Sequence, residues 1–143
     1  MQDYVKDFFS HLHSEYLKAR GYKKVRHTFS RDVGTYTERI QFQGSAWNDS
    51  SSPWRFYINF GVEFHDVPAI ERRDFPGTHC WTRIQAIALD APSEFDLSER
   101  DTADFASKIA FYLESGSRHV KQHIQQIRGA YDAKISLPFP AAA

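Results

Sequence analysis

The chain has 143 residues, 41% of them hydrophobic and 25% charged, which is the size and balance of one globular domain with a full core. Its 18 basic and 18 acidic side chains cancel, so it lacks the cationic surplus expected of a nucleic-acid binder. Cys80 is the only cysteine, which excludes an internal disulfide, and the 15% aromatic share argues against disorder.

Residues Gln2 to Arg20 read as an amphipathic helix, because Val5, Phe8, Phe9, Leu12, Tyr16 and Ala19 recur at three- and four-residue steps. Gly21 follows where a helix ends in left-handed backbone. A first strand is predicted around Val25 to Arg31, and Asp32-Val33-Gly34 makes a tight connection to a second, Thr35 to Gln43. In the second strand Tyr36, Ile40 and Phe42 share one face, and Thr35, Thr37, Arg39, Gln41 and Gln43 share the other. Glu38 interrupts the apolar face and is expected near its exposed end. Gly44 to Pro53, with Asn48-Asp49, three serines and Trp47, reads as a polar loop.

The strongest pattern is Trp54 to Phe64, which alternates without a break. Trp54, Phe56, Ile58, Phe60, Val62 and Phe64 face one way, and Arg55, Tyr57, Asn59, Gly61 and Glu63 the other, as successive side chains of a strand must. One face is therefore an aromatic core and the other a polar surface. His65 to Thr78, with two prolines, Gly77 and Glu71-Arg72-Arg73-Asp74, reads as an irregular excursion with room for a short helical turn. A fourth strand is predicted over His79 to Ala88, with Cys80, Thr82, Ile84 and Ala86 toward the core and Trp81, Arg83, Gln85 and Ile87 opposite. After the Ala91-Pro92 turn, Ser98 with Asp101 three residues on approximates a capping box. The helix it opens buries Phe105, Ile109, Tyr112 and Leu113, and Ser115-Gly116-Ser117 should break or bend it. A last helix carries Val120, Ile124, Ile127 and Tyr131.

Strands joined by short turns pair antiparallel, and helices must cover the aromatic face. The expected fold is α+β: a four-stranded antiparallel meander with one N-terminal and two C-terminal helices packed on one face. A single domain over residues 1–134 is followed by a flexible Pro/Ala tail at 135–143. The longest apolar run, Ile109 to Leu113, is far short of the about 20 residues of a membrane span. No basic region followed by an apolar stretch opens the chain. A cytoplasmic protein with no membrane partner is expected.

Ile40-Gln41-Phe42-Gln43 with Ser45 and Trp47; Phe56-Tyr57-Ile58-Asn59-Phe60-Gly61-Val62; and Cys80-Trp81-Thr82-Arg83-Ile84 resemble segments of a family of small, mostly bacterial proteins, the domain of unknown function 4304 family. A helix ending in Gly21-Tyr22-Lys23-Lys24 and followed by Thr28-Phe29-Ser30-Arg31 completes the likeness, which covers residues 4 to 130. The resemblance implies an α+β fold and no activity. By analogy of size and composition, it leaves open a role as an immunity or accessory partner in bacterial conflict systems, because fold does not carry function.

The polar sheet face is the sharpest functional candidate. Arg39, Gln41 and Gln43 stand beside Arg55, Tyr57 and Asn59, and Trp81 and Arg83 extend the same face. Guanidinium, amide and aromatic groups on rigid strands suit a carboxylate, a phosphate or a peptide backbone. A solvated face held by ordinary cross-strand pairs has the same composition. The expected role is a non-enzymatic interaction or ligand-binding module for another protein or a small anionic ligand, as a monomer or dimer. Trp47 and the His65 to Thr78 loop would form the rim. The alternative is a small hydrolase-like enzyme with a pocket around Glu63, His65 and Arg83, since Glu63 and His65 share a face.

No catalytic residue, metal or cofactor is assigned. The seven scattered glycines form no phosphate loop. His119 and His123 share a helix face but flank an apolar stripe, and His11 and His13 point apart. Cys80 belongs to the apolar set with His79 on the opposite face, and Ser50-Ser51-Ser52 lacks a nucleophile-elbow context.

Overall fold

The alternation from Trp54 to Phe64 is realised as one strand, with Phe56, Ile58, Phe60, Val62 and Phe64 all buried on the same side. The structure, a computed structural model, describes residues 2–49, 53–99 and 102–142. In chain order it comprises α1 (Asp3–Leu12), β1 (Lys23–Val25), β2 (Thr28–Asp32), β3 (Tyr36–Gly44), β4 (Trp54–Phe64), β5 (Cys80–Arg83), β6 (Phe95–Leu97), α2 (Thr102–Gln122) and α3 (Ile124–Asp132). β1 to β5 lie side by side in chain order, and every pairing is antiparallel. β6 pairs with residues 54–56 of β4, end to end with β5, which pairs with residues 59–62. The described strands thus number six, against the four expected.

Both additions come from weak local signals. The first expected strand is in fact the hairpin β1–β2, which turns at Arg26-His27 with Arg26 in left-handed backbone at φ +56°. Asn-Gly or Asp-Gly usually announces such a turn, and neither is present. β6 is only three residues long, with Phe95 and Leu97 buried around an exposed Asp96.

The three helices cover the aromatic face, as expected. Phe9 of α1 meets Phe42 at 5.2 Å between ring centroids, Phe105 of α2 meets Phe56 at 6.1 Å, and Tyr131 of α3 meets Phe64 at 5.5 Å. Among the described residues, no helix is long and apolar enough to cross a membrane. Residues 138–142 lie against the rest of the fold: Phe139 packs on the core, the Ala142 N–H donates to the Ala86 carbonyl, and the Pro140 carbonyl meets His119 Nε2.

Several expected details are corrected. α1 gives way at His13 to a π turn and then a 3-10 turn before Gly21, whose φ is +90°. The wider turn shifts the helical phase, so Leu17 completes the buried stripe and Ala19 is exposed. α2 runs unbroken through Ser115-Gly116-Ser117, and the break falls at His123. Gly116 is there for close approach: a Cβ would stand 2.9 Å from Ile84 Cδ1 and 3.2 Å from Ile87 Cδ1. β5 stops at Arg83 and a 3-10 turn over Ile84–Ala86 follows, so Ile87 is buried rather than placed on the polar face. Asp101 of the expected capping box lies outside the described residues.

Candidate binding face

Register decides which polar side chains meet. Asn59 of β4 is opposite Gln41 of β3 and Arg83 of β5, Tyr57 is opposite Gln43, and Gly61 is opposite Arg39 and Trp81. All eight candidate residues therefore share one sheet face. The 65–78 segment divides that face into a covered half and an open half. It runs without a helical turn and buries Phe75 and Thr78 against Gly61, where a Cβ would be 2.5 Å from Thr78 Cγ2.

In the covered half, Arg39 is fully occupied. It donates to Glu63 at 2.9 Å, to the Gly77 carbonyl at 2.9 Å and to Ser30 Oγ at 3.0 Å. Trp81 donates its indole N–H to Asp74 at 2.8 Å. These two side chains anchor the segment. Arg55 stands at the far end of β4, exposed, 3.4 Å from Asp96.

The open half is a closed circuit of amides around one guanidinium. The Asn59 amide donates to Gln41 Oε1 at 2.7 Å and Gln43 Oε1 at 3.0 Å, while Arg83 Nη1 donates to Asn59 Oδ1 at 2.7 Å and Gln43 Oε1 at 3.1 Å. Asn59 is 1% exposed, held inside this polar layer and not in the apolar core. The Arg83 guanidinium lies 4.4 Å from the Tyr57 ring centroid and 5.6 Å from that of Trp81. Among the described residues, no carboxylate pairs with it. A planar cation held by neutral oxygens and ring faces keeps its charge for an incoming anion. Trp47, 88% exposed, projects from the loop at the same end. The Asn48 side chain clamps that loop by bonding both the N–H and the carbonyl of Arg55.

The Glu63, His65 and Arg83 set is not brought together. Glu63 holds Arg39, and His65 bonds Thr37 Oγ1 at 2.8 Å and the Gly34 carbonyl at 2.9 Å. Arg83 is level with Asn59, four residues from Glu63 along β4, or roughly 13 Å at strand rise.

Cys80 is buried, and burial pushes its thiol up to about 12. A raised value empties the thiolate form at ordinary pH. Near pH 8, iodoacetamide should therefore label the folded chain about a thousandfold more slowly than the urea-unfolded chain. Labelling at the unfolded rate would show the thiol to be accessible and ionised. His119 and His123 each bond a backbone carbonyl, those of Pro140 and His119 respectively. Among the described residues, no group of three His, Cys, Asp or Glu is placed to hold a metal.

One polar cluster escaped the sequence reading. Glu38 is 0% exposed on the helix-facing side of the sheet, not near an exposed end. It accepts hydrogen bonds from Tyr22 at 2.6 Å, Arg31 at 3.1 Å and Ser117 at 2.5 Å. Burial, then the Glu38 charge, pushes the Tyr22 phenol far above its usual value, which keeps its proton in place as a donor. The only local signal was a carboxylate at a core-facing position of β3, because its partners lie 7, 16 and 79 residues away.

A family model described as a domain of unknown function (DUF4304) matches residues 13–136. No curated protein matches the chain, and no solved structure does.

Proposed function

We propose that this chain, which belongs to the DUF4304 family, is a non-enzymatic binding module that grips an acidic group of a protein partner with the open half of its polar sheet face. The observation that supports this reading is Arg83: stacked on Tyr57, fixed by Asn59 and Gln43, and without a carboxylate partner among the described residues. Tyr57 and Gln43 flank it as contact surface, and Trp47 serves as an aromatic anchor at the rim, the residue type that interfaces favour. The protein works in the cytoplasm in this reading, as a monomer or dimer, and a place as an immunity or accessory partner in a bacterial conflict system is consistent with it.

The test is capture of a partner by wild-type and Arg83→Ala baits at micromolar concentration. A charged hydrogen bond of about 1.5–3 kcal/mol predicts roughly 10- to 150-fold weaker capture by Arg83→Ala. Arg83→Lys should also weaken capture, because an ammonium does not reproduce the planar fork. Arg118→Ala, on α2 behind the sheet, should leave capture unchanged. No reproducible partner, or one that Arg83→Ala retains at full strength, would overturn the reading. Capture of small anions alone by the same face would replace the protein partner with a ligand.

A further inference from the structure

We propose that a second site, the cavity where the end of the sheet meets α3, binds a small amine with an apolar body. The cavity holds about 580 Å³, within the range of small-molecule pockets. It lies away from the Arg83 face, between the β2–β3 turn, the end of β4 and the first turns of α3. Phe64, Ile124 and Thr35 give it an apolar lining, while His65, Asp66, Gln125 and Arg128 supply the polar groups. The Phe64 ring is held in place by Tyr131 at 5.5 Å, His79 at 5.8 Å and the Arg128 guanidinium at 5.2 Å. The lining is thus preformed, which lowers the ordering cost of binding.

Charge selects the ligand. Arg128 is the one permanent cation in the lining, and two carboxylates already neutralise it. It donates to Asp66 Oδ1 at 2.6 Å and to both oxygens of Asp132 at 3.1 Å. A third carboxylate, Asp32, stands 3.9 Å from His65 Nε2. The imidazole is itself occupied by Thr37 and the Gly34 carbonyl. Asp66 is the carboxylate of the lining itself, and Asp132 and Asp32 stand just behind Arg128 and His65, so the cavity and its surround carry three carboxylates against one guanidinium. A ligand carboxylate or phosphate would meet like charge, whereas an ammonium meets Asp66. The described bond to Asp66 uses Oδ1, and its side chain is 72% exposed, so Oδ2 is accessible to a second donor. The hydrogen bond from Arg128 also holds the Asp66 carboxyl below its usual range, so it is charged at neutral pH.

The experiment titrates the full chain with two probes of the same shape and opposite charge, phenethylamine and phenylacetate, read by methyl and amide NMR. Phenethylamine should shift the Ile124 and Thr35 signals saturably, with phenylacetate about tenfold weaker. Asp66→Asn should weaken phenethylamine about tenfold and erase its preference over phenylacetate. Ile124→Trp, which fills the cavity, should abolish binding. Equal affinity of the two probes, an unchanged phenethylamine affinity in Asp66→Asn, or no shift at Ile124 and Thr35 overturns the proposal. If the tryptophan variant fails to fold, the probe pair and Asp66→Asn still decide.

Discussion

Phe60→Asp is expected to remove the cooperative thermal transition altogether, leaving a chain with the circular dichroism and amide dispersion of an unfolded protein. Phe60 sits in the middle of β4, between Ile40 and Thr82 on the neighbouring strands, and is 0% exposed. Truncating such a ring costs about 3–5 kcal/mol through lost transfer energy and an unfilled cavity. Placing a carboxylate there adds several kcal/mol more, because Arg31, the cation described on that side of the sheet, is already held by Glu38. The sum is comparable with the whole margin of about 5–15 kcal/mol that holds a domain together. The control is one residue class away: Tyr57→Asp lies on the polar face, half-buried, and should melt cooperatively. If Phe60→Asp melts cooperatively while Tyr57→Asp does not, the two faces of β4 have been exchanged and the binding face with them.

That control works because the period of two was the most legible feature of the sequence. Six apolar side chains in unbroken alternation leave a strand no choice of face, and β4 follows the pattern from Phe56 to Phe64. The same parity put all eight candidate residues on one side. What it could not show is what lies above them. Phe75 and Thr78 come from an irregular segment with no periodicity, and only the structure shows them seated on Gly61. Arg39 and Trp81 thereby become anchors of that segment, while Asn59, Gln43 and Arg83 stay with the open half. A glycine in mid-strand was the available hint, since it marks a place where something approaches closely.

Where local signals are ambiguous, tertiary contacts decide. Ser115-Gly116-Ser117 has the composition of a break, yet α2 continues through it because each residue type meets a specific need. The missing Cβ of Gly116 admits Ile84 and Ile87, and the Ser117 hydroxyl reaches Glu38. Likewise, the π turn after Leu12 carries no compositional mark, but it rotates Leu17 into the core.

Glu38→Ala should lower the unfolding free energy by about 2–4 kcal/mol, or roughly 6–16 °C in melting temperature. The upper part of that range belongs to a fully buried ion pair. Arg31 is 27% exposed at its side chain and keeps a bond to the Arg20 carbonyl, so part of its charge is met after the substitution. Tyr22 is left with the Ser117 hydroxyl as its hydrogen-bonding neighbour. Its phenol is buried, and Glu38 is its described acceptor. Ser117 keeps the Arg31 donor and loses its acceptor. The carboxylate thus joins β3, β2, the segment entering β1 and α2. A double-mutant cycle tests the tie directly. Ser117→Ala alone should cost about 1 kcal/mol, and clearly less in the Glu38→Ala background, because the bond it removes is already gone. Additive costs would show that the two side chains do not act as a unit. Partner capture through Arg83 should survive Glu38→Ala below its melting temperature, because Glu38 and Arg83 lie on opposite faces of the sheet and share no hydrogen-bond partner.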